Sequence, residues 1–188
     1  GRESFTTLDG RQDEAAAYGS VRRSFGPVSA EVGGRLTWVE QGNRGSNTVD
    51  DTAATGFIGL SLPVGGGFEV VANLGTGFRF PGLSERFFTG ATGRGEVVAN
   101  EDLDPERSLT RDLGLRYFGN RLYVAAYVYR TSIDDYIERV ELEPGVRTFV
   151  NLTSGTITGF ELEGFVQATD HLRVDWAGQT TDGEADDG

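Results

Sequence analysis

Residues 158–166 read Thr-Gly-Phe-Glu-Leu-Glu-Gly-Phe-Val. In this stretch, the apolar side chains of Phe160, Leu162 and Val166 alternate with two glutamates. A period of two residues is typical of a β-strand, because successive side chains of a strand point to opposite faces. The stretch therefore predicts a strand with one apolar face and one charged face.

The same alternation recurs along the chain and predicts about eight strands, with almost no helical periodicity. In 108–118, for example, Leu109, Leu113 and Leu115 oppose polar residues, and Arg111 is the one exception on the apolar side. The predicted strands cover residues 15–25, 27–40, 53–62, 67–78, 108–118, 121–141, 147–167 and 171–180.

Charged residues recur on the polar face of these strands. Without partners in a dry core they would be costly, whereas on a water-filled lumen wall they cost little. The pattern alone fits both such a lumen and the solvent face of a soluble sheet. The residues are Glu31, Arg35, Glu69, Asp112, Arg116, Glu161, Glu163, Arg173 and Asp175.

Short and long connections alternate between the predicted strands, which gives the chain two unlike ends. The short ones carry Gly, Pro, Asn or Asp, residues that suit tight hairpins. The long ones are polar and rich in charge. The short turns lie at 26–27, 64–66, 119–120 and 169–170, and the long segments at 41–52, 79–107 and around 143–145.

Two unlike ends are typical of an outer-membrane barrel, which has short periplasmic turns and long extracellular loops. Closure of such a barrel satisfies every backbone hydrogen bond within the hydrocarbon layer. We therefore predict an all-β, antiparallel, up-and-down transmembrane β-barrel, with apolar residues facing outward and polar residues facing the lumen. Aromatic residues near predicted strand ends fit interfacial girdles: Phe25, Trp38, Tyr117, Phe118, Tyr129 and Trp176.

Composition argues against several other classes of protein. The 188 residues include 17 basic and 29 acidic side chains, a formal net charge of −12, and no basic stripe, so nucleic acid is not an expected partner. The absence of Cys and the single His, His171, argue against a disulfide scaffold, a metal site and a Ser-His-Asp triad. No run approaches the roughly 18–20 apolar residues that a membrane helix needs. We predict no enzymatic activity, no metal and no cofactor.

Two segments carry a resemblance to TonB-dependent outer-membrane receptors. Residues 77–88, Gly-Phe-Arg-Phe-Pro-Gly-Leu-Ser-Glu-Arg-Phe-Phe, resemble the FRAP-x-L-x-E-L-F segment of that family. Residues 100–108, Asn-Glu-Asp-Leu-Asp-Pro-Glu-Arg-Ser, resemble its NPDLKPE-x-S box. Phe80 and Glu101 depart from the family pattern. The matching motif positions are Phe78, Arg79, Pro81, Asn100, Leu103, Pro105 and Glu106.

Three later segments, 112–117, 127–137 and 150–163, are similar to strands that follow these boxes in the family. The resemblance implies that residues 1–188 are a partial receptor barrel from its second half. About eight strands of a barrel of roughly 22 would then be present. The plug domain is expected to lie outside this chain.

The resemblance also implies function, localisation and partners. A receptor of this family lies in the bacterial outer membrane and takes up a scarce ligand with energy delivered by the TonB–ExbB–ExbD complex. The first expected ligand is a ferric siderophore, and haem, cobalamin or a glycan are the other ligands that the resemblance implies. Lipopolysaccharide and other outer-membrane lipids are further expected partners. Haem is disfavoured because residues 82–99 contain no His and His171 adjoins a predicted periplasmic turn.

Within the long segment 79–107, aromatic and basic residues are the expected contributors to a ligand vestibule. Arginines attract anionic chelates, and aromatic rings stack on planar ligand groups. The attracting cations would be Arg79, Arg86, Arg94 and Arg107. The predicted ligand-binding residues are Arg86, Phe87 and Phe88, with Tyr136 and Arg139 on the next hairpin.

One alternative is a small self-contained β-barrel or a soluble β-sheet module with an adhesive or structural role. About eight strands suffice to close a small barrel, so strand number does not decide between the readings. Aliphatic side chains packed into a shared interior would favour the soluble module, and a continuous outward apolar band would favour membrane insertion.

Overall fold

A computed structural model describes residues 8–45, 47–93, 95–151 and 154–186, with only the backbone of Asp186. These described residues form twelve strands and one five-residue helix. They are β1 (Gly10–Phe25), β2 (Val28–Asn43), β3 (Thr48–Gly65), β4 (Phe68–Arg79), α1 (Leu83–Phe87), β5 (Gly90–Thr92), β6 (Gly95–Val97), β7 (Glu106–Phe118), β8 (Leu122–Asp134), β9 (Ile137–Glu143), β10 (Val146–Asn151), β11 (Ser154–Thr169) and β12 (Leu172–Asp186).

Eight strands form one antiparallel sheet in the order β1-β2-β3-β4-β7-β8-β11-β12. Each of these strands pairs with its neighbours in this up-and-down order, and in the described part of the chain no pairing joins β1 to β12. The predicted all-β, antiparallel, up-and-down class is therefore confirmed. These strands form an open section of wall rather than a closed eight-stranded barrel.

The four predicted short turns are confirmed, and all lie at one end of the sheet, the short-turn end. Gly26, with φ of 62°, allows the tight reversal from β1 to β2. Gly67, with φ of 84°, lies where an added Cβ would be 2.6 Å from the Phe118 carbonyl oxygen. Glycine thus meets both the dihedral and the steric requirement of this turn.

The prediction of a long loop at 41–52 is wrong. Strand β2 continues to Asn43, and β3 begins at Thr48, with Gly42 paired to Thr48. Polar residues there continue the strands because Gln41 and Asp51 find partners above the apolar part of the sheet. Residues 41–52 have the polar composition typical of a loop, but their backbones pair as the end of a long β2–β3 hairpin.

Two predicted strands, 121–141 and 147–167, are each interrupted. Strand β8 ends at Asp134, next to Asp135, whose φ of 57° turns the chain out of the sheet. The hairpin β9–β10 then joins β5 and β6 in a second sheet, of order β5-β6-β10-β9. Segment 79–107, predicted as a loop, thus contains α1, β5 and β6. We call residues 80–105 together with 135–151 the loop cluster, and its side of the sheet the loop end.

The two faces of the large sheet differ as predicted. Cross-strand register places all nine predicted charged residues on one face, the inner face. The other, outer face carries large apolar side chains that are 36–68% exposed. Such an area far exceeds what soluble monomers leave uncovered. Its residues include Val21, Phe25, Val32, Leu36, Trp38, Ile58, Leu60, Leu62, Phe68, Leu74, Leu113, Leu115, Val128, Phe160, Leu162, Leu172, Val174 and Trp176.

Buried side chains lie mainly at the loop end rather than behind the apolar face. Val39, Phe87, Val97, Leu103 and Ile137 are 2–6% exposed. They belong to the loop cluster or to the part of β2 at that end. The aliphatic residues of the sheet thus share no dry interior, which favours the membrane barrel over the soluble module.

The predicted aromatic girdles are correct only in part. Phe25, Trp38 and Trp176 lie on the outer face. Tyr129 lies on the inner face, where its hydroxyl is 3.0 Å from the Thr181 Oγ1. Phe118 alternates with the outward Tyr117 and also lies on the inner side. Position near a strand end does not fix the face, because one residue of register reverses it.

Among the residues that the structure describes, no helix is long and apolar enough to cross a membrane.

Candidate functional site

Arg79 joins four elements at the loop end of the sheet. Its Nε and Nη2 donate to both carboxylate oxygens of Glu106, at 2.8 and 2.5 Å, and its Nη1 donates to Glu85 Oε2 at 2.9 Å. Glu85 Oε2 also accepts the Gly82 amide at 2.6 Å, and Glu106 Oε1 accepts the Ile137 amide at 2.9 Å. One guanidinium therefore connects the end of β4 to α1, β7 and β9.

The charges of this network stabilise one another, and they lie beyond the apolar part of the outer face. Desolvation raises the pKa of Glu106, but hydrogen bonds from Arg79 and from the Ile137 amide outweigh it and hold this pKa below its ordinary value. Hydrogen bonding to Glu106 raises the pKa of Arg79. Both groups are therefore ionised near neutral pH.

Arg86 is the most deeply buried cation of the loop cluster, with 1% of its side chain exposed. Its Nη1 donates to Gln41 Oε1 at 2.9 Å and lies 2.5 Å from Asp51 Oδ2. Its Nη2 donates to the Leu103 carbonyl oxygen. Gln41 in turn donates to the Pro81 carbonyl oxygen at 2.8 Å. These contacts fix α1 and residue 103 against β2 and β3.

Two asparagines connect the two halves of the loop cluster. Asn100 donates through Nδ2 to the Phe149 carbonyl oxygen at 2.8 Å. Asn151 donates to the carbonyl oxygens of Asp104 and Asp135, at 2.9 and 2.6 Å, and accepts the Asp104 amide at 2.9 Å. The pairing of β6 with β10 adds backbone hydrogen bonds between the same halves. The loop cluster is therefore one packed unit.

The inner face carries polar pairs across neighbouring strands. Arg22 pairs with Glu31, Asn73 donates to Asp112 at 2.6 Å, and Arg116 donates to the Tyr127 hydroxyl at 2.7 Å. Pairing between these side chains lowers the desolvation cost of charged groups on the partly buried inner face. This face suits a hydrated lumen or a polar domain packed inside it.

Comparisons with known proteins identify the family. The family model described as "TonB dependent receptor-like, beta-barrel" matches residues 2–188. This chain belongs to that family. The TonB-dependent receptor barrels lie in the bacterial outer membrane.

Individual relatives agree with this assignment. The chain is 26% identical over 162 residues to the vitamin B12 transporter BtuB of Vibrio vulnificus (strain YJ016), covering 83% of this chain and 23% of that protein. The copper transporter OprC is similar in structure, with a TM-score of 0.76 and 23% identity over 94% of this chain and 29% of OprC. The FrpB iron transporter from Neisseria meningitidis (F3-3 variant) has a TM-score of 0.71 and 15% identity, with coverage of 94% and 26%.

This receptor chain spans less than a quarter of the curated relative's length. The similar solved structures are described as transporters and receptors, which fits the prediction that the chain is not an enzyme. Because their sequence identity to this chain is 23% or lower, the structural similarity shows only that the fold is shared.

The family motif positions of the receptor belong to the loop cluster or to the ends of β4 and β7 next to it. Arg79 and Glu106 pair, Asn100 connects to β10, and the Leu103 side chain is 2% exposed. Pro81 is fully buried. The motif therefore builds the rim of the barrel. Gln41 and Asp51, which complete this assembly, were missed because they fall in the segment that was predicted as a loop.

The structure separates the predicted ligand-binding residues into two groups. Arg86 and Phe87 are buried, 1% and 5% exposed, and pack within the loop cluster. Phe88 is half-buried, whereas Tyr136 and Arg139 are exposed. Ligand contact by any of the five stays a prediction.

The arginines expected to attract an anion are also divided. Arg79 and Arg86 are paired with carboxylates. Arg107 projects from the outer face, opposite Asp134. Arg94 lies outside the described residues.

Tyr136 borders an open groove of about 230 Å³ near the loop end. Ile133, Gly155 and Ile157, which belong to the inner face, line the same groove. Tyr136 therefore lies at the loop end, beside the inner face of the sheet.

Proposed function

We propose that this chain is part of the wall of an outer-membrane receptor that takes up a scarce ligand, with energy supplied through TonB and the ExbB–ExbD complex. The observation that carries the proposal is the two-sided sheet, apolar outward and charged inward, with its long connections packed together at one end. This arrangement supports a pathway through the membrane guarded by a ligand vestibule. It involves no bond-making step.

In this proposal, the inner face supports a plug domain supplied by another part of the receptor. Polar pairs such as Asn73–Asp112 and Arg116–Tyr127 leave exposed hydrogen-bonding groups toward the lumen. A plug that slides or partly unfolds needs a hydrated interface without large apolar contacts, because such contacts are costly to break. The polar inner face thus favours a plug domain that can move.

A ferric siderophore is the first candidate ligand. Tyr136 and the half-buried Phe88 offer aromatic rings, and Arg139 offers an exposed cation. Aromatic rings pack against the planar chelating groups of such ligands, and guanidinium groups attract their negative charge. These three residues are the proposed contacts from this part of the barrel.

A cobalamin-like ligand is the second candidate, favoured by the charge of the loop cluster. Residues 80–105 and 135–151 contain nine carboxylates and four arginines. Of these four arginines, Arg86 is ion-paired with Asp51 and adds little free positive potential. A net negative vestibule repels anionic chelates and tolerates a neutral one. The similarity to a vitamin B12 transporter supports the same candidate.

Growth of a receptor-null strain tests the proposal. The full-length receptor is returned to the strain, and ferric siderophores as the sole iron source or cyanocobalamin as the sole corrinoid are supplied at limiting concentration. We expect rescue of growth on one of these ligands. Rescue on neither would contradict the proposed uptake of these ligand classes.

Paired variants then test the proposed contacts. The double variant Tyr136→Ala/Arg139→Gln should lower uptake of the rescuing ligand about tenfold, since charge-assisted contacts contribute about 1.5–3 kcal/mol each. The control is Arg121→Gln at the short-turn end, which removes an exposed ion pair to Asp170 and should leave uptake unchanged. Equal uptake by the double variant and the wild type would remove these residues from the site.

A further inference from the structure

The outer face changes from apolar to polar along one line across four strands. Leu113, Val128 and Phe160 are neighbours in register and are the last apolar residues before this line on β7, β8 and β11; beyond the line, Leu109 is the one apolar residue on the outer face of these strands in the described part of the chain. The next row toward the loop end runs Arg111, Arg130, Thr158 and Asp182 from β7 to β12. This row lies at the upper edge of the lipid-facing band.

Arg111 and Arg130 are directly opposite each other on adjacent strands, and both are exposed. Like charges in this position destabilise a sheet. In the part of the chain that the structure describes, neither guanidinium forms an ion pair within 4 Å. Their flanking neighbours in the row, Leu74 and Thr158, carry no charge. The pair therefore presents two uncompensated guanidinium groups side by side, facing away from the lumen.

Nearby carboxylates do not account for this pair. Asp134 is directly opposite Arg107, two rows nearer the loop end than Arg111 and Arg130. Asp182 belongs to the same row but is separated from Arg130 by the intervening strand β11. The positive charges of Arg111 and Arg130 are therefore suited to bind an anion from outside the chain.

We propose that Arg111 and Arg130 bind a phosphate group of lipopolysaccharide in the outer leaflet. The loop end faces the cell exterior because short turns of outer-membrane barrels are periplasmic. The pair thus lies where hydrocarbon gives way to phosphorylated glycolipid headgroups. Guanidinium groups donate bidentate hydrogen bonds to phosphate, and their aliphatic stems extend along the apolar band. The proposal rests on the membrane location alone and holds whichever ligand the receptor transports.

Binding of purified full-length receptor to lipid A tests the proposal. The receptor is titrated in detergent with bisphosphorylated lipid A, with dephosphorylated lipid A, and with inorganic phosphate as competitor. The double variant Arg111→Gln/Arg130→Gln should bind bisphosphorylated lipid A about thirtyfold more weakly, equivalent to about 1 kcal/mol per arginine near an anionic surface. Wild-type receptor should discriminate against dephosphorylated lipid A by a similar factor. Competition by millimolar inorganic phosphate would indicate a free-anion site and overturn the lipid assignment.

Two further variants separate binding from folding. Arg121→Gln, at the short-turn end, should retain wild-type lipid affinity. Arg130→Glu converts the repulsive pair into a cross-strand ion pair, so it should keep or increase the temperature of barrel unfolding in gel-shift assays while losing lipid A binding. Unchanged affinity of Arg130→Glu for lipid A would overturn the proposal. These experiments measure lipid A binding and not transport. A negative result would therefore overturn the lipid proposal without affecting the proposed uptake function.

Discussion

Arg86 shows how one side chain holds a loop against a sheet. Its guanidinium touches Gln41, Asp51 and the Leu103 carbonyl oxygen while remaining 1% exposed. A buried ion pair contributes little net stability compared with a hydrophobic replacement of both partners. Removal of one partner is costly, however, because the other charge stays buried. The role of Arg86 is therefore conditional on Asp51.

We predict that Arg86→Met detaches α1 from β2 and β3. Loss of the cation leaves Asp51 without its counter-charge, at a cost of about 3–5 kcal/mol. Limited proteolysis of the full-length receptor should then cut within residues 80–105 far faster than in wild type. Arg139→Met, at an exposed position, is the control. The double variant Arg86→Met/Asp51→Asn should recover part of the protection, and failure of the single variant to alter cleavage would refute the role.

Gly114 has a different function, because an aromatic ring occupies the space above it. A Cβ there would lie 2.4 Å from Tyr127 Cδ1 and 2.8 Å from Val71 Cγ2. Tyr127 in turn accepts a hydrogen bond from Arg116 on the inner face. The glycine thus permits the tyrosine to lie flat against the wall.

Gly114→Val should destabilise the barrel by about 1–3 kcal/mol through overpacking. The control is Gly42→Ala, whose Cβ would meet Thr48 Oγ1 at an ordinary 3.6 Å. Urea unfolding followed by tryptophan fluorescence measures both variants. Equal midpoints for the two would show that Tyr127 moves aside without cost.

At the scale of elements, the loop cluster depends on the ionised form of Glu106. Its pKa lies below the ordinary value of 4.5, so its stabilisation is fully present above pH 4.5 and is lost as the pH falls through the lowered pKa. We expect hydrogen exchange of the Ile137 amide to accelerate in that acid range. The variant Glu106→Gln should exchange faster at neutral pH and lose this pH dependence. A pH-independent wild type would contradict the assignment.

Most elements were predictable because their periodicity is regular. The alternation of apolar and polar residues in β4, β7 and β11 predicted these strands and their two faces. The glycine-containing turns predicted the short-turn end of the sheet. The split of 121–141 depends on Asp135 and on pairing of β10 with β6, a contact between residues about fifty positions apart in sequence. No local pattern reports such a contact. The burial of Arg86 was not predictable for the same reason, since it depends on distant Asp51.

At the scale of the whole molecule, the outward direction of the apolar face determines which substitutions the barrel tolerates in the membrane. Leu60→Arg places a charge on the lipid-facing side and should cost about 2–4 kcal/mol near the middle of the band. Ser61→Arg, one residue later on the inner face, lies beside Glu31 and Glu69 and should be tolerated. Heat-modifiability of the full-length receptor in membranes measures folding of both. Equal tolerance at the two positions would contradict the membrane orientation.

The pairing of β6 with β10 has a consequence for how such receptors diversify. The amides of Glu96 and Val98 donate to the carbonyl oxygens of Gly145 and Arg147, so the two long connections share a sheet. A chimera that exchanges only one connection with a homologue would break these bonds and the asparagine contacts beside them. The two segments are therefore one structural cassette, and a chimera is expected to fold in this region only when both segments are exchanged together.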